Sequence, residues 1–199
     1  MNESEKKILC VMMPALNEEA TVADVIARVP REIEGISKVV VLVVDDGSTD
    51  GTRAVSLEAG AEVESHASNR GLGIAFRTGV SAALAMGADY VVNMDSDGQF
   101  NPEDIPKLLA PLMEGRADCV TASRFADKTL IPEMSGVKLY GNRMMSRLIS
   151  MLVGQKFHDV SCGFRAYTAD TLRQMNLQGR FTYTQESFME LLFKGLQLV

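Results

Sequence analysis

The sequence contains no tryptophan, only two histidines and three cysteines among its 199 residues, and no apolar run as long as the roughly 18 residues that a membrane helix requires. Each shortage excludes something. The cysteines, Cys10, Cys119 and Cys162, are odd in number with no C-x-x-C pair, and the first two lie in apolar, strand-like runs. They read as buried free thiols, which suits a reducing, cytoplasmic compartment better than a disulfide-stapled secreted fold. His66 and His158 have no partners at metal-ligand spacing, so they read as hydrogen-bonded or exposed side chains. The polar N-terminus MNESEKK is not a signal peptide, and charge interrupts every long apolar stretch, so the chain is not expected to cross a membrane itself. A net charge of −6 and a pI near 5.0 leave no broad basic surface for a phosphate backbone, which excludes nucleic acid as a partner.

What is present is core-forming sequence. With 46% hydrophobic residues and no shift in composition, one domain over residues 1–199 is expected, and the apolar ending LFKGLQLV points to further sequence beyond it. Strand and helix signals alternate. ILCVMM is a short apolar run ended by Pro14; Glu19 to Val29 has helical spacing; and the unbroken VVVLVV of Val39–Val44 marks a strand covered on both faces. A helix from about Thr52, a strand at Ala61–Glu64, a helix at Gly73–Met86 and a strand at Tyr90–Met94 follow. Asn101 and Pro102 then open another helix, before the strand DCVTAS. Beyond Ser123 a helix is expected over Gly136–Val153, a strand at SCGFRAYT and a last helix at Gln185–Lys194, with a loop-rich segment at Ala126–Ser135. Repeated strand-then-helix order predicts an α/β fold, a Rossmann-like, mostly parallel sheet with helices on both faces, which binds ligands beyond the carboxyl ends of its strands.

Three polar clusters fall at such ends: LNEE after the first strand, DDGSTDGT after the second and DSDGQ after Tyr90–Met94. Any one of them is also ordinary helix-capping sequence, but three at one edge point to a site. Asp95 and Asp97 are two apart, so in an extended segment both carboxylates point the same way and can share a hard cation, with Gln99 able to add an oxygen. Asp45 and Asp46 can accept from ribose hydroxyls or a base N–H. Neither a dinucleotide fingerprint nor a P-loop is present, so a nucleotide would be held by acids and metal.

Taken together, PALNEE, VVDDGSTDGT, NRGLGIAFRTG, NMDSDGQFNPEDIPKLL, ASRF and DVSCGFRAY resemble the family 2 glycosyltransferases, in particular the branch of dolichyl-phosphate mannose synthase and the polyprenyl-phosphate glycosyltransferases. The resemblance runs from Ile8 to the last helix. It implies the GT-A fold and inverting transfer from a nucleotide-sugar donor, GDP-mannose or UDP-glucose/UDP-GlcNAc, to a polyprenyl (dolichyl) phosphate acceptor. It further implies a nucleotide-sugar pocket at Pro14, Leu16, Glu18, Asp45, Asp46, Asp95, Ser96 and Arg124, and Mg2+ or Mn2+ held by Asp95, Asp97 and Gln99. Asp159 corresponds to the family's general base, Arg124 and Arg165 join it as catalytic residues, and Arg143 and Arg165 are placed on the acceptor phosphate. SCGFR departs from the usual TSGFR through Ser161 and Cys162, and without tryptophan the QxxRW signature of processive synthases is absent, so repeated chain extension is not expected.

Two alternatives share the donor half: transfer to a soluble sugar or protein acceptor, and a non-catalytic nucleotide-sugar-binding subunit. The Met-rich stretch VKLYGNRMMSRLISMLVG, with Lys138, Arg143 and Arg147, reads either as a core helix or as an interfacial helix contacting anionic lipid at the cytoplasmic face of a membrane.

Overall fold

The structure is a computed structural model that describes residues 6–123, 144–147, 149–151, 157, 159–176 and 183–199. The segment Ala126–Ser135 and the side chains of Arg124, Arg143 and His158 lie outside these residues.

Six strands form one mixed sheet: β1 (Ile8–Ala15), β2 (Lys38–Asp45), β3 (Glu62–Ser65), β4 (Tyr90–Asn93), β5 (Cys119–Thr121) and β6 (Arg165–Thr168), in the order β3-β2-β1-β4-β6-β5. The first four pair in parallel, and β6 enters antiparallel between β4 and β5. This is the mostly parallel α/β sheet expected from the order of elements.

Helices cover both faces because the middle stretches of β1 and β2, Leu9–Met13 and Val39–Val44, are apolar at every position. Leu9, Val11 and Met13 of β1 and Val41 and Val43 of β2 face one core, while Cys10, Met12, Leu42 and Val44 face the other, as a two-residue period dictates. The first core is closed by α1 (Val22–Ala27) and α4 (Ile105–Met113) through Val25, Ile26, Leu108 and Leu109. Helices α3 (Leu72–Ala85), α5 (Ala169–Gln174) and α6 (Thr184–Phe193) close the second through Phe76, Leu172 and Phe188. Gly79 lets α3 lie directly on the sheet, since a Cβ there would come within 2.9 Å of Met12 Sδ and 3.1 Å of Val44 Cγ2. Between β2 and β3, α2 (Thr52–Glu58) begins where the Asp50 carboxylate accepts from Thr52 N–H at 3.0 Å.

Several boundaries differ from the sequence reading. Helix α1 starts at Val22, because Glu18–Thr21 is a turn bonded to the loop after β2. The helix after Asn101 opens as a 3-10 turn over Pro102–Asp104, with the Asn101 side chain accepting from Glu103 N–H as a cap. Only Arg165–Thr168 of SCGFRAYT is strand, since the Asp159 carboxylate binds Ser161 N–H and holds the preceding residues as a bend. Within Gly136–Val153, residues 144–147 and 149–151 are helical. No helix of the described residues is long and apolar enough to cross a membrane.

Candidate active site

The three polar clusters meet at the carboxyl edge of β1, β2 and β4. Parallel pairing sets Ala15 beside Asp45, and Asp46 N–H donates to Ala15 C=O at 2.9 Å. The loops after β1 and β2 are then bonded together. Asn17 N–H donates to Ser48 Oγ at 2.9 Å, Thr49 N–H to Asn17 Oδ1 at 2.8 Å, and Glu18 N–H to Thr52 Oγ1 at 2.7 Å. The third cluster is attached by Ser96, whose buried hydroxyl donates to Pro14 C=O at 3.0 Å.

Beside this junction is a cavity of about 490 Å³ lined by Pro14, Ala15, Leu16, Asp46, Asn69, Arg70, Gly71, Leu72 and Ala75. Leu16 and Leu72 keep 39% and 41% of their surface exposed there, which gives the cavity apolar walls next to one acid. The Asp46 carboxylate accepts from His66 Nδ1–H at 2.6 Å and Arg70 N–H at 2.9 Å on Oδ1, and from Gly71 N–H at 2.8 Å on Oδ2. Gly71 and its neighbours reach the acid because Gly47 leaves room for them. Gly47 has φ +79, and a Cβ on it would overlap Ser68 C at 2.4 Å and Asn69 N at 2.7 Å.

Asp45 and Glu18, expected in the pocket, are not among the described residues lining this cavity. Asp45 is buried and its Oδ1 accepts Ser48 N–H at 2.9 Å, while Glu18 Oε2 accepts from Thr21 Oγ1 at 2.8 Å; both shape the loops.

At the end of β4, Asp97 Oδ1 accepts Gln99 N–H at 2.9 Å, which turns the chain after DSD. The Asp95 carboxylate lies over Gly163: a Cβ at that glycine would be 3.1 Å from Oδ1, 3.3 Å from Oδ2 and 3.2 Å from the Tyr183 hydroxyl. Asn93 completes this floor, its Nδ2 donating to Gly163 C=O at 2.7 Å and to the Tyr183 hydroxyl at 2.6 Å. Burial, followed by the nearby Tyr167 and Asp95, holds the Tyr183 hydroxyl well above its ordinary pKa of 10.0, so it remains neutral beside the acid. No group of three His, Cys, Asp or Glu side chains set to hold a metal exists among the described residues. Asp95 and Asp97, two residues apart after β4, are oxygen donors of the kind that a magnesium-like ion takes together with water and substrate phosphates.

Asp159 is buried, with Oδ1 accepting from both Ser161 N–H and Ser161 Oγ at 3.0 Å. Arg165, expected at an acceptor phosphate, lies inside the fold. Its side chain is 0% exposed, and its guanidinium donates to Thr184 C=O and Ser187 Oγ at 2.8 Å and to Val160 C=O at 3.0 Å. It also lies 4.9 Å above the Phe188 ring, so it fastens β6 to α6. Sequence reasoning missed Asn93, Gly163 and Tyr183, which only the fold brings under Asp95. His66, read from the sequence as a hydrogen-bonded or exposed side chain, directly follows β3 at the same sheet edge and is hydrogen-bonded to Asp46 and Thr78.

The fold is of the GT-A class. Over residues 10–175 the sequence matches the family described as Glycosyl transferase family 2, and the chain belongs to that family. It is 39% identical over 170 residues to the glycosyltransferase AglJ of Haloferax volcanii, covering 85% of this chain and 53% of AglJ. It is 31% identical over 173 residues to the polyprenol monophosphomannose synthase of Mycolicibacterium smegmatis, covering 84% of this chain and 64% of the synthase. The chain thus spans about half the length of the first relative and just under two thirds of the second. Its fold is shared with glucosyl-3-phosphoglycerate synthase from Mycobacterium tuberculosis in complex with Mn2+, UDP and glucosyl-3-phosphoglycerate, with a TM-score of 0.71 at 23% identity over 99% of this chain and 70% of that one.

Proposed function

We propose that the chain carries the donor site of an inverting glycosyltransferase that moves a sugar from a nucleoside diphosphate to a polyprenyl phosphate. The observation that carries this reading is the junction of a base-sized cavity, closed by Asp46, with the Asp95–Asp97 pair on the neighbouring strand end. Leu16 and Leu72 offer apolar contact to a planar base. Asp46 already accepts three hydrogen bonds, so it retains about one free acceptor position of the roughly four on a carboxylate. One acceptor suits the single N–H of a uracil imide better than the two adjacent donors of a guanine edge, which favours a UDP-sugar.

A divalent cation held by Asp95 and Asp97 would neutralise the diphosphate as it departs. The acceptor's phosphate oxygen attacks the anomeric carbon, the bond from that carbon to the diphosphate breaks, and its electron pair leaves with the nucleotide. A phosphate oxygen is already ionised near neutral pH, so Asp159 orients the acceptor more than it removes a proton. The polyprenyl acceptor rests on the named activity of the mannose synthase relative, and Arg124 and Arg143 remain candidates for its phosphate.

Calorimetric titration of UDP-glucose, UDP-GlcNAc and GDP-mannose with and without Mn2+ tests the donor half. Mn2+ alone should bind weakly, one donor should bind in its presence, and Asp97→Ala should weaken that binding by about tenfold or more, the scale of a lost charge-assisted contact. No binding of any donor would sink the proposal. Transfer of labelled sugar to polyprenyl phosphate tests the acceptor half, and unchanged turnover in Asp159→Ala would remove that residue from the mechanism.

A further inference from the structure

The structure assigns His66 the role of a positioning residue that sets the carboxylate of Asp46 for the nucleotide base. The inference rests on the reading of the cavity beside Asp46 as a nucleoside site. His66 follows β3 directly, its N–H donating to Asp45 C=O at 2.9 Å, and its side chain is only 7% exposed. Both ring nitrogens are engaged: Nδ1 lies 2.6 Å from Asp46 Oδ1, and Nε2 lies 2.9 Å from Thr78 Oγ1 on α3.

The chemistry of the partners fixes the protons. A carboxylate can only accept, so Nδ1 carries the hydrogen toward Asp46; in the neutral ring Nε2 then accepts the Thr78 hydroxyl. Thr78 thereby holds the tautomer and the ring plane, as an outer partner does for a histidine that binds a metal. The consequence is at Asp46. Oδ1 is filled by His66 and by Arg70 N–H, while Oδ2 has taken Gly71 N–H and keeps one position for a ligand. Without the imidazole, only the two backbone bonds from Arg70 and Gly71 hold the carboxylate against rotation about its terminal bond, a broad and soft torsion, and the free oxygen position is less firmly directed.

Two substitutions separate this role from simple support of the fold. His66→Asn keeps an N–H donor at the Nδ1 position and loses the contact to Thr78; His66→Gln keeps a polar group at the Nε2 position and loses the donor to Asp46. Titrating each protein with UDP and with GDP, both in Mn2+, and measuring the melting temperature alongside, gives the comparison. We expect His66→Asn to bind the preferred nucleotide within about threefold of the wild type, and His66→Gln to bind it about tenfold more weakly at a similar melting temperature. In the transfer reaction the loss should fall on KM for the donor, with kcat little changed. Equal affinities in the two variants would overturn the inference while leaving the site reading intact. Failure of the wild-type chain to bind either nucleotide would instead overturn the site reading on which it rests.

Discussion

At the scale of single residues, two glycines decide whether the site can form. Gly47→Ala would combine a left-handed φ, which costs an L side chain about 1–2 kcal/mol, with overlap against the backbone of Ser68 and Asn69. Backbone cannot step aside as a flexible side chain can. The loop that donates to Asp46 must therefore shift, and we expect a lower melting temperature together with loss of nucleotide binding in the same titration. Gly163→Ala is a different case. Its new methyl would press on both oxygens of Asp95, so metal-dependent donor binding should fall while thermal stability changes little, a contrast that calorimetry and melting curves read separately. The sequence brought Pro14, Leu16 and Asp46 to one edge, and the structure sets all three on one cavity. It could not do the same for Arg165. An arginine in a GFR motif reads as a ligand contact, and nothing local in sequence reveals that Val160, Thr184 and Ser187 enclose it.

At the scale of elements, the close approach of α3 to the sheet depends on a residue with no side chain. Gly79→Val would push branched methyls into Met12 and Val44, and overpacking of this kind costs about 1–3 kcal/mol, which a denaturant titration should register as a lower midpoint at unchanged slope. The strands β1 and β2 were legible because short, unbroken apolar runs ended by proline or acid have few other uses, and α3 and α6 were legible within a residue or two. The region from Ser161 to Phe164 was not. Its alternation fits a strand, but a carboxylate two residues earlier captures the Ser161 amide, and local competition of that kind leaves no periodic trace. The insertion of β6 between β4 and β5 was equally hidden, since element order fixes the succession of strands and not the neighbour each one chooses.

At the scale of the whole molecule, burial of ionisable groups makes the fold sensitive to alkali. Burial raises the thiols of Cys10 and Cys119 from an ordinary 9.0 to about 12, with the charge of Arg165 partly opposing this at Cys119. A raised folded-state pKa means that the unfolded chain ionises first as pH rises through 9, so stability is intact below that pH and declines toward 12. Between pH 9 and 10 each thiol should remove on the order of 1 kcal/mol, and the melting temperature should fall by several degrees. A Cys10→Ala/Cys119→Ala double variant should show a flatter pH dependence over that interval, though from a lower starting point because of the volume lost from the core. In the native state at pH 8 the same two thiols should react slowly with a thiol reagent and become fast on denaturation.

The floor beneath Asp95 also has a history in time. The cavity that holds Asp46 is assembled from residues 14 to 75, whereas Asn93 waits for Gly163 and Tyr183, partners 70 and 90 positions away. The residues that line this cavity therefore leave the ribosome well before those that support the first DSD aspartate. On the proposed reading, the part that would take the base can be shaped before the part that would grip the phosphates.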